Sequence, residues 1–260
     1  MKTFDKTHLD VARYNKRGVI HRDYIAHCHR WSFIQRWMVT RDLNDRYLDT
    51  DGAMRGKMKH KNTHVLDIGC GKDLMLYKAL VSNKVSPLSY TGVDINKLAV
   101  PEDFKGSKFQ PTLLSETDIC SVTNLTNTPN LIVSFEMLEH VPFDYSQETL
   151  HKAYELSTDD ATLVISTPVY MEKYGMAKNH INEMTREQVI QQLSNAKWYI
   201  KENYGTFAGR PELFKHMKPQ HKELWQDLMA YYDSNVMSTI FAPLYPEHSR
   251  NNLWVCRKDT

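Results

Sequence analysis

The sequence predicts an α/β fold, an open and largely parallel sheet with helices on both faces, and three observations predict it. Short apolar runs of strand length alternate with amphipathic stretches of helix length. A glycine-bearing turn follows the first run, and a carboxylate ends the second, 23 positions after that turn.

The elements follow in chain order. Tyr24, Cys28, Trp31, Ile34 and Met38 recur at spacings of four and three, which predicts an amphipathic helix ahead of the alternation. The runs "HVLDIG" (64–69), "YTGVDI" (90–95), "NLIVSF" (130–135) and "ATLVIST" (161–167) read as buried strands, with helices expected near 73–82, 146–157 and 185–196. Thr185 with Gln188 three residues later is a capping-box pattern announcing the last of these. "YIKENYGTFAG" (199–209) reads as a sixth strand and "LWVCRK" (253–258) as a seventh. Between them Leu213, Phe214, Met217, Leu224, Trp225, Leu228 and Tyr232 predict two short amphipathic helices divided at Pro219. Such helices form a lid, cover a sheet edge or make a dimer contact. We divide the chain into a helical and basic extension over 1–61 and a catalytic domain over 62–260, with a helical insertion at 211–250.

Composition narrows the class. A chain of 260 residues with 41% hydrophobic content buries a sizeable core. No apolar run approaches the ~18 residues of a membrane span, and "MKTFDKTHLD" lacks the apolar core of a signal peptide, so a cytoplasmic protein without a membrane partner is expected. Cys28, Cys70, Cys120 and Cys256 are scattered and form no CxxC, which argues for reduced structural thiols rather than a zinc cage or disulfide framework. The net charge of +2 conceals a basic N-terminal part: residues 1–61 hold 14 Lys/Arg against 7 Asp/Glu. Arg55, Lys57, Lys59, His60 and Lys61 cluster there, a composition suited to phosphate contact or to a solvated loop.

The chemistry begins at "VLDIGCGKD" (65–73). Gly69 and Gly71 let the chain turn tightly and let backbone approach a ligand, while the next helix presents free N–H groups. Asp94 stands where this kind of sheet holds ribose hydroxyls. A nicotinamide dehydrogenase fits poorly, because position 74 of the G-x-G-x-x-G fingerprint is leucine.

"HVLDIGCGKD", "YTGVDINKL", "ETDIC" and "SFEMLEHVP", in this order, resemble the class I S-adenosylmethionine-dependent methyltransferases. The resemblance spans about residues 62–200 and implies a Rossmann-like seven-stranded sheet with S-adenosylmethionine as cofactor. It implies that Asp67, Gly69, Cys70 and Gly71 surround the methionine portion, that Asp94 binds the ribose, and that Ile95 and Asn96 flank the adenine. Asp118 and Ile119 would contact the adenine ring and its amino group, and Glu136 closes the donor-binding set. The loop departs from the family in having Lys72 and Asp73 where a third glycine is common; Asp73 is a candidate cap for the following helix.

Glu136, Glu139 and His140 leave the fourth strand at its carboxyl end, the functional side of an open parallel sheet. If a helix or turn begins there, spacings of three and four place all three on one face, able to bind a divalent ion or to serve as acid and base beside a substrate hydroxyl. "EMLEHVP" is similar to the corresponding segment of ubiquinone-type small-molecule O-methyltransferases. It also matches the E-x-x-E-H of small-RNA 3′-terminal 2′-O-methyltransferases, which implies a magnesium or manganese site of Glu136, Glu139, His140 and His180. The [DNS]-P-P-[FYW] loop of amino methylation on DNA bases is absent, and no cysteine stands in the Pro-Cys context of a cytosine-C5 enzyme. The expectation is an enzyme that methylates an oxygen of a small molecule or RNA, with Glu139 and His140 as catalytic residues; the other readings are a magnesium-dependent RNA 2′-O-methyltransferase and a silent donor-binding subunit.

Overall fold

The protein is described here from a computed structural model covering residues 22–39, 62–82 and 85–258. The basic cluster at residues 55–61 lies outside the described residues. Seven strands make one sheet: β1 (His64–Ile68), β2 (Ser89–Asp94), β3 (Thr112–Ser115), β4 (Leu131–Phe135), β5 (Thr162–Pro168), β6 (Trp198–Phe207) and β7 (Asn251–Lys258). Their order is β3-β2-β1-β4-β5-β7-β6. The first five strands pair in parallel, and β7 runs antiparallel between β5 and β6. The strand order reverses between β1 and β4, so the carboxyl ends of β1, β2, β4 and β5 open onto one crevice.

Buried strands read as continuous apolar runs because helices cover both faces of the sheet. One face buries Leu66, Ile132, Leu163 and Ile165 against α3 (Phe143–Glu155) and α4 (Arg186–Asn195). The other buries Val65, Leu131, Val133 and Val164 under α1 (Arg22–Val39) and α2 (Met75–Ser82). Ile34 and Met38 of α1 are fully buried in that second layer, and Gln35 donates from Nε2 to the Ala79 carbonyl of α2 at 2.6 Å. α4 carries the capping box: the Thr185 hydroxyl accepts from the Gln188 amide, and the Gln188 side chain accepts from the Thr185 amide.

Three expectations need correction. β3 lies outside the apolar runs; it is four residues long at the sheet edge, with Leu113 and Leu114 only partly buried, too short a run to announce a strand. The insertion holds three helices, not two: α5 (Arg210–His216), α6 (Pro219–Leu228) and α7 (Ser234–Phe241). Pro219 opens α6 at its first turn, as the division required, but "SNVMSTIF" carries small polar residues that hide the buried face of α7. α2 begins at Met75, and Asp73 makes no cap bond to it among the described residues. Among the described residues no helix is long and apolar enough to cross a membrane, and none of the four cysteines is in a disulfide.

Candidate active site

The turn after β1 is held by its own backbone. Gly69 (φ 71°) donates its amide to the Val93 carbonyl at 2.8 Å, and Gly71 (φ 68°) donates to Asp94 Oδ2 at 2.9 Å. A Cβ on Gly69 would meet Met137 Cγ at 2.6 Å, whereas one on Gly71 would meet nothing within 4 Å. The third fingerprint position is taken by Leu74, a buried residue that itself adopts φ 47°. The left-handed turn therefore persists there without glycine.

Around this turn the residues expected to bind the donor come together with unequal freedom. Asp94 Oδ1 accepts from both the amide and the side-chain nitrogen of Asn96 at 2.8 Å, so with the Gly71 bond one of its roughly four acceptor sites stays open. Ile95 is 61% exposed, an apolar face at the strand end, while Ile119 is buried. Asp118 Oδ1 accepts from the Cys120 amide at 2.8 Å and from the Tyr145 hydroxyl. Asp67 is buried, and burial pushes its carboxyl up to about 7; the hydrogen bond from Tyr90 Oη at 2.5 Å opposes that shift, and the charge of Asp94 adds to it. Burial and the same two carboxylates push the Cys70 thiol up, so it is packing and not a nucleophile.

At the end of β4 the three titratable groups separate. Glu136 sits at φ 53°, and a 3₁₀ turn (Leu138–His140) follows it, so the common face expected for all three does not form. Its carboxylate points back: Oε1 accepts from Ser166 Oγ at 2.8 Å, and Oε2 accepts from Asn251 Nδ2 at 2.7 Å and pairs with Arg30 Nη2 at 3.2 Å. Glu139, His140 and His180 do converge, with ligand atoms all within 4.8 Å of one another. Glu136 stands outside that group.

The three-residue group is ordered from outside. His140 Nδ1 faces the Asn179 carbonyl at 3.2 Å, and His180 Nδ1 faces Glu183 Oε1 at 2.6 Å, acceptors that call for a proton on each Nδ1 and fix the two rings. The two rings meet edge to face with centroids 4.9 Å apart. Desolvation and the neighbouring His180 hold His140 below its ordinary value, favouring the neutral ring. Glu139 is 1% exposed; burial and then Glu136 push its carboxyl well above the usual range, against its backbone amide, Arg30 and Thr167. Its only side-chain hydrogen bond among the described residues is from Thr167 Oγ1 at 3.4 Å. A buried carboxyl group so thinly served, with one nitrogen of each imidazole within 4.8 Å, suits a divalent ion of mixed oxygen and nitrogen taste such as Mn²⁺.

Sequence reading missed the supporting residues. Glu183, three positions after His180, carried a legible signal; Tyr90 and Tyr145 lie near quoted site residues but bond to carboxylates 23 and 27 positions away, and Arg30 and Asn251 reach the site from elements distant in sequence.

A family model described as a methyltransferase domain matches residues 39–205. No curated protein matches the chain. Among solved structures, magnesium protoporphyrin IX methyltransferase (ChlM) from Synechocystis PCC 6803 with bound SAH superimposes with a TM-score of 0.59 at 12% identity, over 97% of this chain and 91% of that one. The [4+2]-cyclase SpnF gives 0.57 at 14% identity, over 95% and 85%. The small RNA methyltransferase HEN1 gives 0.56 at 16% identity, over 96% of this chain but 26% of that one. Likeness at such identities establishes a shared fold, and the cyclase among these neighbours illustrates that the fold by itself does not fix the reaction.

Proposed function

The chain belongs to the methyltransferase-domain family and is a class I S-adenosylmethionine-dependent methyltransferase, and from that premise we propose that it methylates a hydroxyl oxygen held at the Glu139–His140–His180 corner. The observation that carries this reading is the pair of imidazoles whose Nδ1 atoms are tied to Asn179 and Glu183 and whose rings converge on the buried Glu139, with His140 Nε2 standing 4.0 Å from Glu139 Oε1.

In this reading the donor lies over the Gly69–Gly71 turn, with Asp94 taking a ribose hydroxyl on its open acceptor site and Ile95 lying against the adenine. Asp118 keeps Oδ2 for the adenine amino group, since Oδ1 is taken by Cys120 and Tyr145. Asp67, held by the Tyr90 hydroxyl, stands next to last in β1, just before that turn. The Met137 side chain, in van der Waals reach of Gly69, joins the donor turn to the loop that carries Glu139. Transfer then depends on distance and alignment between the acceptor oxygen and the sulfonium methyl, which fixed side chains supply. Glu139, His140 and His180 would hold a divalent ion, Glu136 being engaged elsewhere; when bound, the ion lowers the pKa of a hydroxyl placed against it. As ligands of the ion Glu139 and His140 would orient that hydroxyl; without an ion, Nε2 of the neutral His140 would accept the proton it gives up.

Membership of the family disfavours a catalytically silent subunit, and nothing in the geometry singles out RNA over a small molecule. Two measurements test the proposal. Mn²⁺ titrated by calorimetry should bind the wild type and be lost in Glu139→Gln. Labelled methyl donor offered to pools of RNA and of hydroxylated metabolites should leave alkali-stable label in one of them. Equal Mn²⁺ binding by both proteins, or label on nitrogen, would sink the reading.

A further inference from the structure

Glu136 was expected to contact donor or metal, and the structure gives it another occupation. It stands at φ 53°, a conformation that costs a non-glycine residue on the order of 1–3 kcal/mol and persists only where the surroundings over-determine it. Here they do: its amide donates to the Ser166 carbonyl at 3.0 Å, and its carboxylate is held from β5 by Ser166, from β7 by Asn251 and from α1 by Arg30.

Arg30 is the unusual member of this group. It comes from α1, ahead of residues 39–205 that the methyltransferase-domain model matches, yet its side chain is 3% exposed. A guanidinium is not buried without partners, and among the described residues Arg30 meets Glu136 Oε2 and, through Nη1 at 3.0 Å, His27 Nδ1 on its own helix. The helix is anchored well enough to hold it there. Ile34 and Met38 are fully buried, Gln35 bonds to α2, and the Phe33 ring packs on Tyr204 of β6 with centroids 5.7 Å apart.

We infer that Arg30 is a positioning residue of the active site: its bond to Glu136 pins the left-handed bend after β4 and thereby aims Glu139 and His140 at His180. The left-handed residue reverses the strand direction, Met137 follows against Gly69, and the 3₁₀ turn closes with the His140 amide donating to the Met137 carbonyl at 3.0 Å. Without Arg30 the Glu136 carboxylate loses its counter-charge and its positive φ is left to Ser166 and Asn251 alone, and relaxation there displaces Glu139 and His140 together. The α1 helix is therefore part of the catalytic apparatus and not only a cap on the sheet. This deepens the reading above, since it gives Glu139 and His140 the acceptor corner, but its principal readout needs neither metal nor acceptor.

The test uses the full chain with ¹³C-labelled histidine, the ring signals of His140 and His180 being assigned from His140→Gln and His180→Gln. Arg30→Met, Arg30→Lys, Glu136→Gln and the double variant Arg30→Met with Glu136→Gln are compared. We expect both ring signals to shift, and their mutual cross-peak to weaken at least threefold, in Arg30→Met and in Glu136→Gln. The double variant should move them no further than either single one, and Arg30→Lys, which keeps the charge but not the planar fork, should fall between. SAH affinity should stay within threefold throughout, and Mn²⁺ should broaden the two signals only at tenfold higher concentration in the variants. Unmoved ring signals, additive shifts in the double variant, or SAH affinity lost in parallel with them would each overturn the inference. If Arg30→Met does not fold, Arg30→Lys and Glu136→Gln decide by the same signals. Failure of Mn²⁺ to affect the wild-type signals would instead remove the metal from the proposed function and leave this inference standing.

Discussion

The donor crevice and the acceptor corner lie side by side and are built by different physics. The crevice is shaped by backbone: two left-handed glycines, amides turned onto Val93 and Asp94, and an apolar side chain left in the open. The corner is shaped by desolvated charge: a carboxylate and imidazoles brought together from the β4 exit and the segment before α4, each oriented by a group behind it. They touch where Met137 meets Gly69. Substitutions in the crevice should therefore act through conformation, with little dependence on pH once Asp67 is ionised, whereas substitutions in the corner should act through protonation.

The largest effect is expected at the contact between them. Gly69→Ala places a methyl 2.6 Å from Met137 Cγ on a residue at φ 71°, so strain and overpacking add. We expect a loss of about 2–4 kcal/mol in thermal or denaturant unfolding and at least about tenfold weaker SAH binding, with the same deficit at pH 8 and pH 9, both above the value near 7 to which burial pushes Asp67. A deficit that changed with pH would break the distinction between the two regions.

Glu139→Gln sharpens the other half. Because the folded-state pKa of Glu139 is raised, the folded protein favours the protonated acid. The stability this contributes is full below the unfolded value near 4.5 and is lost as pH rises through the raised one. Glutamine cannot ionise, so metal-free Glu139→Gln should melt above the wild type at pH 8 and converge with it near pH 4, each kcal/mol appearing as about 2–4 °C. Added Mn²⁺ should reverse the order at pH 8 by stabilising only the wild type. A variant that melts lower at pH 8 without metal would show that the carboxylate is compensated already.

The same contrast explains what the sequence made legible. The crevice is written in consecutive residues, since Gly69, Gly71 and Asp94 belong to adjacent strand ends and need only the strand period to be placed. The E-x-x-E-H spacing announced the corner but not the fate of Glu136, because spacing is silent about a left-handed residue that turns one carboxylate away from the others. Arg30, which takes that carboxylate, sits on a helix whose periodicity was readable while its contact with the β4 exit was not. β3 and α7 escaped for a related reason: one is four residues at a sheet edge and the other eight, too short for apolar periodicity to reveal a buried face.

Glu183→Gln should do less than Glu139→Gln. It keeps shape and packing but weakens the acceptor that fixes the His180 ring, and loss of such a partner typically costs about 10–100-fold in metal affinity. SAH binding should not change. Mn²⁺ affinity within a factor of two of the wild type would mean that His180 is held by its loop rather than by its carboxylate.

The smallest effect is expected at Gly71→Ala. The residue shares the left-handed conformation of Gly69, but its added methyl would have no neighbour within 4 Å, so only the conformational cost remains, about 1 kcal/mol or about 2–4 °C. The chain already bears that cost at Leu74 and at Glu136. The Gly71 amide is moreover committed to Asp94 Oδ2, which argues against a direct bond from it to the donor. SAH affinity should therefore fall by no more than about threefold, the range of an ordinary surface change. If Gly71→Ala folds like the wild type and yet loses SAH binding, the open space beside it is the donor's own, and the crevice is defined as much by what glycine leaves out as by how it bends.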